Sequence, residues 1–283
     1  VKTFWLASYP KSGNTWFRVF ISNLLHPEQS PVDPNHLPMS HLIASARSPF
    51  QEIVGVPPSL LVADEYDNLR PAVDRIIGRD WSSKPPCLRK AHDAYTYLPG
   101  GRPLMGEGPD FAAIYILRNP WDVAVSAANH WGISTEEAVE KMCRSDFMLD
   151  YSNDRITTQL RQRLLSWSEH AASWLNAPLE LCLLRYEEMH SNPLETFQRA
   201  VRFLGLEPSE SEIENAIHAS SFARLKRLED KQGFREAPAG RRFFRSGKVG
   251  TGRDHLSAAD RRRLDDQHQR VSRLLRERLQ VAG

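Results

Sequence analysis

Apolar positions along the chain switch between runs and helical spacing, and the switches mark the elements. Phe4-Trp5-Leu6-Ala7 is an apolar run of strand length, stopped by Pro10. After a short polar loop, Trp16, Phe17, Phe20, Ile21, Leu24 and Leu25 recur at helical spacing and predict an amphipathic helix ending near Pro27. Residues 27–58, rich in Pro, Ser and His, read as a long irregular excursion. Helical spacing returns over 59–79, with Leu60, Leu61, Leu69, Val73, Ile76 and Ile77 on the apolar side. Cys87-Leu88-Arg89-Lys90 follows two prolines and reads as a second strand, and Phe111 to Leu117 as a third.

The third strand halts at Arg118-Asn119-Pro120. Asn119 suits an N-cap, Pro120 the first helical position, and Asp122 adds favourable charge in the first turn, predicting a helix from 120 to about 131. Helices are expected at 135–147 and 157–176, a strand at 179–184, and helices at 193–204 and 209–218. Segment 231–256 carries Gly233, Gly240, Gly247, Gly250 and Gly252 and reads as loop, before a charged helix over 257–279. Strands alternating with helices imply an α/β fold with a central parallel sheet flanked by helices. No repeat or linker divides the chain, so one domain over 1–283 is expected. Ligands in such folds bind beyond the carboxyl ends of the strands. Those ends carry Tyr9-Pro10-Lys11, Lys90-Ala91-His92, Arg118-Asn119 and Arg185-Tyr186, each with a polar or ionisable residue.

Apolar content of 41% and charged content of 25% are ordinary for a globular protein, and no run approaches the roughly 20 apolar residues of a membrane span. The strand-like start at Val1 reads as carrying no secretory leader. Cys87, Cys143 and Cys182 lack metal or disulfide spacing, and a cytoplasmic location is expected. A net charge of +2 is too small to argue for nucleic acid. Its distribution says more: residues 224–254 hold ten basic and four acidic side chains, a net +6. That stretch is either a solvated face or a contact to something anionic.

Candidate chemistry clusters at the strand ends. Lys11-Ser12-Gly13-Asn14-Thr15 joins a strand to a helix. Gly13 permits close backbone approach, the helix N–H groups point at the same spot, and Lys11 adds a full charge, together making a phosphate-type anion site. The spacing is not that of a Walker A loop. Arg118 and Ser126 suggest a second anion site, although Ser126 suits a packed small residue equally well. Arg245-Ser246-Gly247-Lys248-Val249-Gly250 is a basic, glycine-rich candidate for a third contribution. A lone histidine is more often structural than catalytic. His92 differs in following a strand two residues after Lys90, where an imidazole can take a proton from an attacking hydroxyl.

Two of these motifs carry a family resemblance. Tyr9-Pro10-Lys11-Ser12-Gly13-Asn14-Thr15-Trp16 resembles the 5′-phosphosulfate loop of the cytosolic-type sulfotransferases, and Arg118-Asn119-Pro120-Trp121-Asp122-Val123-Ala124-Val125-Ser126 resembles their 3′-phosphate motif. The resemblance runs from residue 3 to about 270. It implies one α/β domain with a P-loop-like nucleotide-binding core. The enzyme would use 3′-phosphoadenosine 5′-phosphosulfate (PAPS), release adenosine 3′,5′-bisphosphate (PAP) and need no metal. It further implies a catalytic Lys-Thr-His motif falling on Lys90-Ala91-His92, with His92 as general base, Lys11 stabilising charge on the leaving phosphate, and Ser126 contacting Lys11 before substrate arrives. Trp16 and Phe222 would stack on adenine, Tyr186 and Ser220 would contact the nucleotide, and Arg245, Ser246 and Gly247 would close over the 3′-phosphate. Three departures stand out: Ser246 replaces a lysine, Gly252 stands where the family carries tryptophan, and Ala91 and Asp93 flank His92 atypically. The C-terminal dimerisation motif of many animal members is absent, leaving oligomeric state open. Phe50, Tyr95, Tyr97, Trp131 and Phe147, with segment 27–58 and the helices around 132–155, suggest a pocket for an apolar or phenolic small-molecule acceptor. The runner-up is a small-molecule or nucleotide kinase, which would want a Walker A loop and an acidic magnesium ligand.

Overall fold

The computed structural model describes residues 2–37, 43–80, 86–150, 157, 159–238 and 240–281. Among them the strands are β1 (Thr3–Ser8), β2 (Cys87–Ala91), β3 (Phe111–Leu117), the two-residue β4 (Met148–Leu149) and β5 (Gln162–Arg163), and β6 (Glu180–Arg185). The helices are α1 (Asn14–Leu25), α2 (Arg47–Val54), α3 (Ala63–Asp80), α4 (Pro120–Trp131), α5 (Thr135–Met142) and α6 (Trp167–Leu175). They continue as α7 (Tyr186–Ser191), α8 (Pro193–Phe203), α9 (Glu210–Ala219), α10 (Phe222–Gln232), α11 (Gly252–His255) and α12 (Ala258–Val281).

Four strands pair in parallel in the order β2-β1-β3-β6, so all their carboxyl ends open on one edge. The two central strands are apolar on both faces because both faces are covered. In β3, Phe111, Ala113, Tyr115 and Leu117 point to one side, where they meet Trp5, Trp167 and Trp174. Ile114 and Ile116 point to the other and meet Leu6, Phe17, Phe20 and Phe197. Edge strand β2 carries a buried arginine instead: Arg89 pairs with Asp74 of α3 and lies over the Trp5 ring.

Several boundaries differ from the sequence expectation. The excursion at 27–58 contains α2, with residues 38–42 outside the described set. The helix expected at 157–176 begins only at Trp167. A capping box closes there, with Glu169 N–H donating to Ser166 Oγ and Ser166 N–H to the Glu169 carboxylate. Before it the chain runs extended, and Arg163 N–H donates to Asp93. The helix expected at 135–147 stops at Met142, and Met148–Leu149 instead pairs antiparallel with β5. The loop expected at 231–256 contains α11 and is entered from α10.

Candidate active site

The loop after β1 is held in an uncommon backbone shape. Lys11 has φ 70 and Gly13 φ 110, two left-handed residues that curl successive backbone groups into a cradle at the start of α1. At Gly13 the shape demands glycine, since a Cβ would lie 2.7 Å from the Tyr186 ring. Ser12 is buried, and its hydroxyl has no hydrogen-bond partner. Lys11 Nζ sits 3.4 Å above the Phe243 ring centroid, and no hydrogen bond joins it to Ser126, the contact that the resemblance implied. Burial, reinforced by Lys90 and Arg118 and opposed by Glu236, lowers the Lys11 ammonium to about 7.

Arg118, beyond β3, ties the cradle to the basic segment. Its guanidinium donates to the Lys11 carbonyl at 2.9 Å and the Lys248 carbonyl at 3.4 Å, and stacks 4.0 Å from the Tyr186 ring. Its Nε is buried without a partner. Two carboxylates that the sequence did not single out as site residues fix the segment around Arg245. Glu229 accepts the N–H groups of Phe243 and Phe244 at 2.6 and 2.9 Å. Asp122 accepts those of Gly250 and Gly252 at 2.8 and 2.7 Å. A Cβ at Gly252 would meet the Trp121 backbone at 2.5 Å, which accounts for glycine where the family carries tryptophan.

Beyond β2, His92 is clamped from behind. Its Nδ1 lies 2.8 Å from the Ser8 carbonyl; a carbonyl only accepts, so the proton resides on Nδ1 and Nε2 keeps its lone pair. His170 Nε2 donates to the His92 carbonyl at 3.0 Å, and the Tyr115 hydroxyl donates to His170 Nδ1 at 3.0 Å. Asp93, the next residue, takes a fork from buried Arg70 at 2.6 and 3.2 Å, while Trp174 Nε1 donates to its carbonyl at 2.9 Å. Burial, then Lys90, pushes the His92 imidazole well below its ordinary range and keeps it neutral.

These groups face one cavity of about 500 Å³. Lys11, Gly13, Asn14, Thr15, Trp16, Lys90, His92, Arg118, Ser126, Tyr186, Phe222, Arg245, Ser246 and Gly247 all line it. Ser12 and Ser220 do not: Ser220 is buried at the end of α9, its hydroxyl donating to the Ile217 carbonyl at 3.1 Å. Trp16 packs against Tyr186, His190 and Phe197, while Phe222 packs against Phe244. Of the five residues suggested for an apolar acceptor pocket, only Trp131 reaches the cavity. Phe50 packs on Tyr66, Tyr95 is buried with its hydroxyl on the Gly106 carbonyl, Tyr97 is exposed, and Phe147 lies against Trp131. The remaining wall includes His130, Leu149, Asp150, Gln159 and Gln162; residues 151–156, within the stretch also suggested for the acceptor, lie outside the described set.

The comparisons with known proteins agree on one family. The family model described as "Sulfotransferase domain" matches residues 2–277. Cytosolic sulfotransferase 5 of Arabidopsis thaliana is 23% identical over 293 residues, covering 98% of this chain and 80% of the relative. Cytosolic sulfotransferase 17 of the same plant is 25% identical, covering 93% and 72%. Among solved structures, mouse sulfotransferase SULT7A1 complexed with PAP aligns with TM-score 0.57 and 18% identity, over 96% of this chain and 84% of that one. Retinol dehydratase in a complex with retinol and PAP aligns with TM-score 0.60 and 19% identity, over 96% and 82%.

Proposed function

This chain belongs to the sulfotransferase family, and from that premise we propose that it transfers a sulfuryl group from PAPS to a hydroxyl or amine of a small acceptor, with His92 as the base. The observation that carries the reading is the His92 tautomer. Its Nδ1 proton is committed to Ser8, so Nε2 is the basic atom, in a cavity shared with Lys11 and Lys90.

The residues present fit a ligand with two separated anionic ends. The cradle at Lys11, Gly13 and Thr15, with Lys90, suits the phosphosulfate, and the unpartnered Arg118 Nε with Arg245 suits the 3′-phosphate. Trp16 and Phe222 offer aromatic faces to the base. PAPS supplies an activated sulfur–oxygen bond. The chain's own residues orient the acceptor oxygen, take its proton at His92 Nε2 as the new sulfur–oxygen bond forms, and neutralise charge on the departing phosphate through Lys11 and Lys90. PAP in the two related structures and the cytosolic names of the plant relatives favour this co-substrate and a cytoplasmic setting. The acceptor wall is mixed rather than apolar, with Trp131 and Leu149 beside Asp150, Gln159 and Gln162.

Isothermal titration tests the reading. PAP binds in the presence of a chelator and magnesium-ATP binds more weakly; a preference for magnesium-ATP would overturn it in favour of a kinase. A panel of alcohols, phenols, sugars and amines with ³⁵S-labelled PAPS then identifies the acceptor.

A further inference from the structure

Glu236 is out of character with its surroundings. It lines a cavity whose other charged walls include Lys11, Lys90, Arg118 and Arg245. It comes from the basic segment after α10 and reaches two elements at the sheet edge. Arg18 of α1, buried to 7% exposure, donates to Oε1 at 2.7 Å. The other oxygen, Oε2, lies 3.4 Å from the Thr15 hydroxyl and 3.5 Å from Lys90 Nζ. The division is directional. Arg18 fixes one oxygen and so turns the second toward the cradle hydroxyl and the lysine at the end of β2.

We propose that Glu236 is a positioning residue for sulfuryl transfer, anchored by Arg18 so that its carboxylate holds the Lys90 ammonium in the cavity beside His92. The inference rests on the role given to Lys90 above. Lys90 faces Arg18, Glu236, His92 and, through longer-range charge, Asp150. Burial, with Arg18, draws its pKa down, and Glu236 provides the largest opposing influence. A neutral amine at that place would have no charge to offer the departing phosphate. An exposed ion pair would be worth little, but this one bridges a buried arginine and a lysine enclosed in the cavity.

The test compares Glu236→Gln, Lys90→Met and the double variant. Turnover is followed with ³⁵S-labelled PAPS and the panel acceptor that reacts fastest, or water if none reacts. PAP binding is followed by calorimetry, which also checks that each variant folds. The expected result is a loss in kcat of about 10²-fold in each single variant, with the double variant no slower than Lys90→Met. PAP binding in Glu236→Gln stays within about threefold of wild type, because the cavity loses an anion together with the ammonium that it held in place. Wild-type kcat with tighter PAP binding in Glu236→Gln would mean that the carboxylate merely fills an anion site; with Lys90→Met slowed, that result overturns the inference and leaves the Lys90 assignment standing. Losses that multiply in the double variant also overturn it, since Glu236 would then act independently of Lys90. Wild-type kcat in Lys90→Met overturns both.

Discussion

Replacing Gly247 by alanine separates two effects that its position combines. Gly247 has φ 62, and a Cβ there would lie 2.3 to 2.6 Å from atoms of the Phe222 ring. Gly250, three residues on, has φ 80 and nothing within 4 Å of its added Cβ. Both substitutions carry the left-handed penalty of roughly 1–2 kcal/mol. That penalty falls on folding and is the same with or without ligand. Only Gly247→Ala also collides with a ring. Phe222 is backed by Phe244, whose N–H is held by Glu229, so the loop rather than the ring must give, taking Arg245 with it. A hydrogen bond to a charged group is worth about 1.5–3 kcal/mol, and each 1.4 kcal/mol is about tenfold in affinity. Gly247→Ala therefore weakens PAP binding by roughly 10- to 100-fold, while Gly250→Ala stays within about threefold. Calorimetry with PAP and a chelator measures both, with thermal melting reporting the shared loss of stability. Equal affinities in the two variants, or wild-type affinity in Gly247→Ala, would refute the assignment of this loop to the nucleotide.

The remaining predictions concern charge. Lys11 titrates at about 7 in the free protein, and an anionic ligand raises it. PAP affinity therefore falls as pH rises from 7 to 9, and binding at pH 8 takes up protons, seen as an enthalpy that depends on buffer; pH-independent binding would contradict this. His92 is held neutral by burial and by Lys90, so the acid limb of kcat/KM lies below the ordinary histidine value of about 6.5; a limb at or above that value would show the imidazole to be unperturbed. Arg70→Met strands the buried Asp93 carboxylate and costs about 3–5 kcal/mol of stability. Its melting temperature should fall by roughly 10 °C, and a shift of only a degree or two would make the pair dispensable. Asp122→Ala releases Gly250 and Gly252, weakening PAP binding about tenfold; unchanged binding would remove Asp122 from the closing of the loop.

The sheet was legible because its central strands are buried on both faces and so appear as unbroken apolar runs. The start of α4 was legible because Asn119 and Pro120 spell out a cap. The same chemistry at Ser166 and Glu169 marks the start of α6, and helical spacing alone set that start too early. α10 escaped notice for a physical reason: it buries only Leu225 and Glu229, and charged side chains outnumber the apolar Phe222, Leu225 and Leu228 along it. At the strand ends, the sequence and the structure meet: Lys11, Lys90, His92, Arg118 and Tyr186 line one cavity. Aromatic character did not mark the cavity wall, because Phe50, Tyr95 and Phe147 are the same residue types that fill cores, and they pack there instead. Glu229, Glu236 and Asp122 were illegible as site residues. Glu236 finds Thr15 more than two hundred residues away, Asp122 binds backbone groups more than a hundred residues on, and no local spacing encodes either meeting.

On the proposed mechanism, His92 takes the acceptor proton in a cavity that binds PAPS independently of it. The direct measurement is turnover of ³⁵S-labelled PAPS by His92→Ala and by the wild-type chain, at PAPS concentrations giving equal occupancy as judged from PAP titrations. PAP affinity of His92→Ala is expected within about threefold of wild type, with a loss of turnover of roughly 10²- to 10⁴-fold. Turnover at the wild-type rate at equal PAPS occupancy would remove His92 from the chemistry.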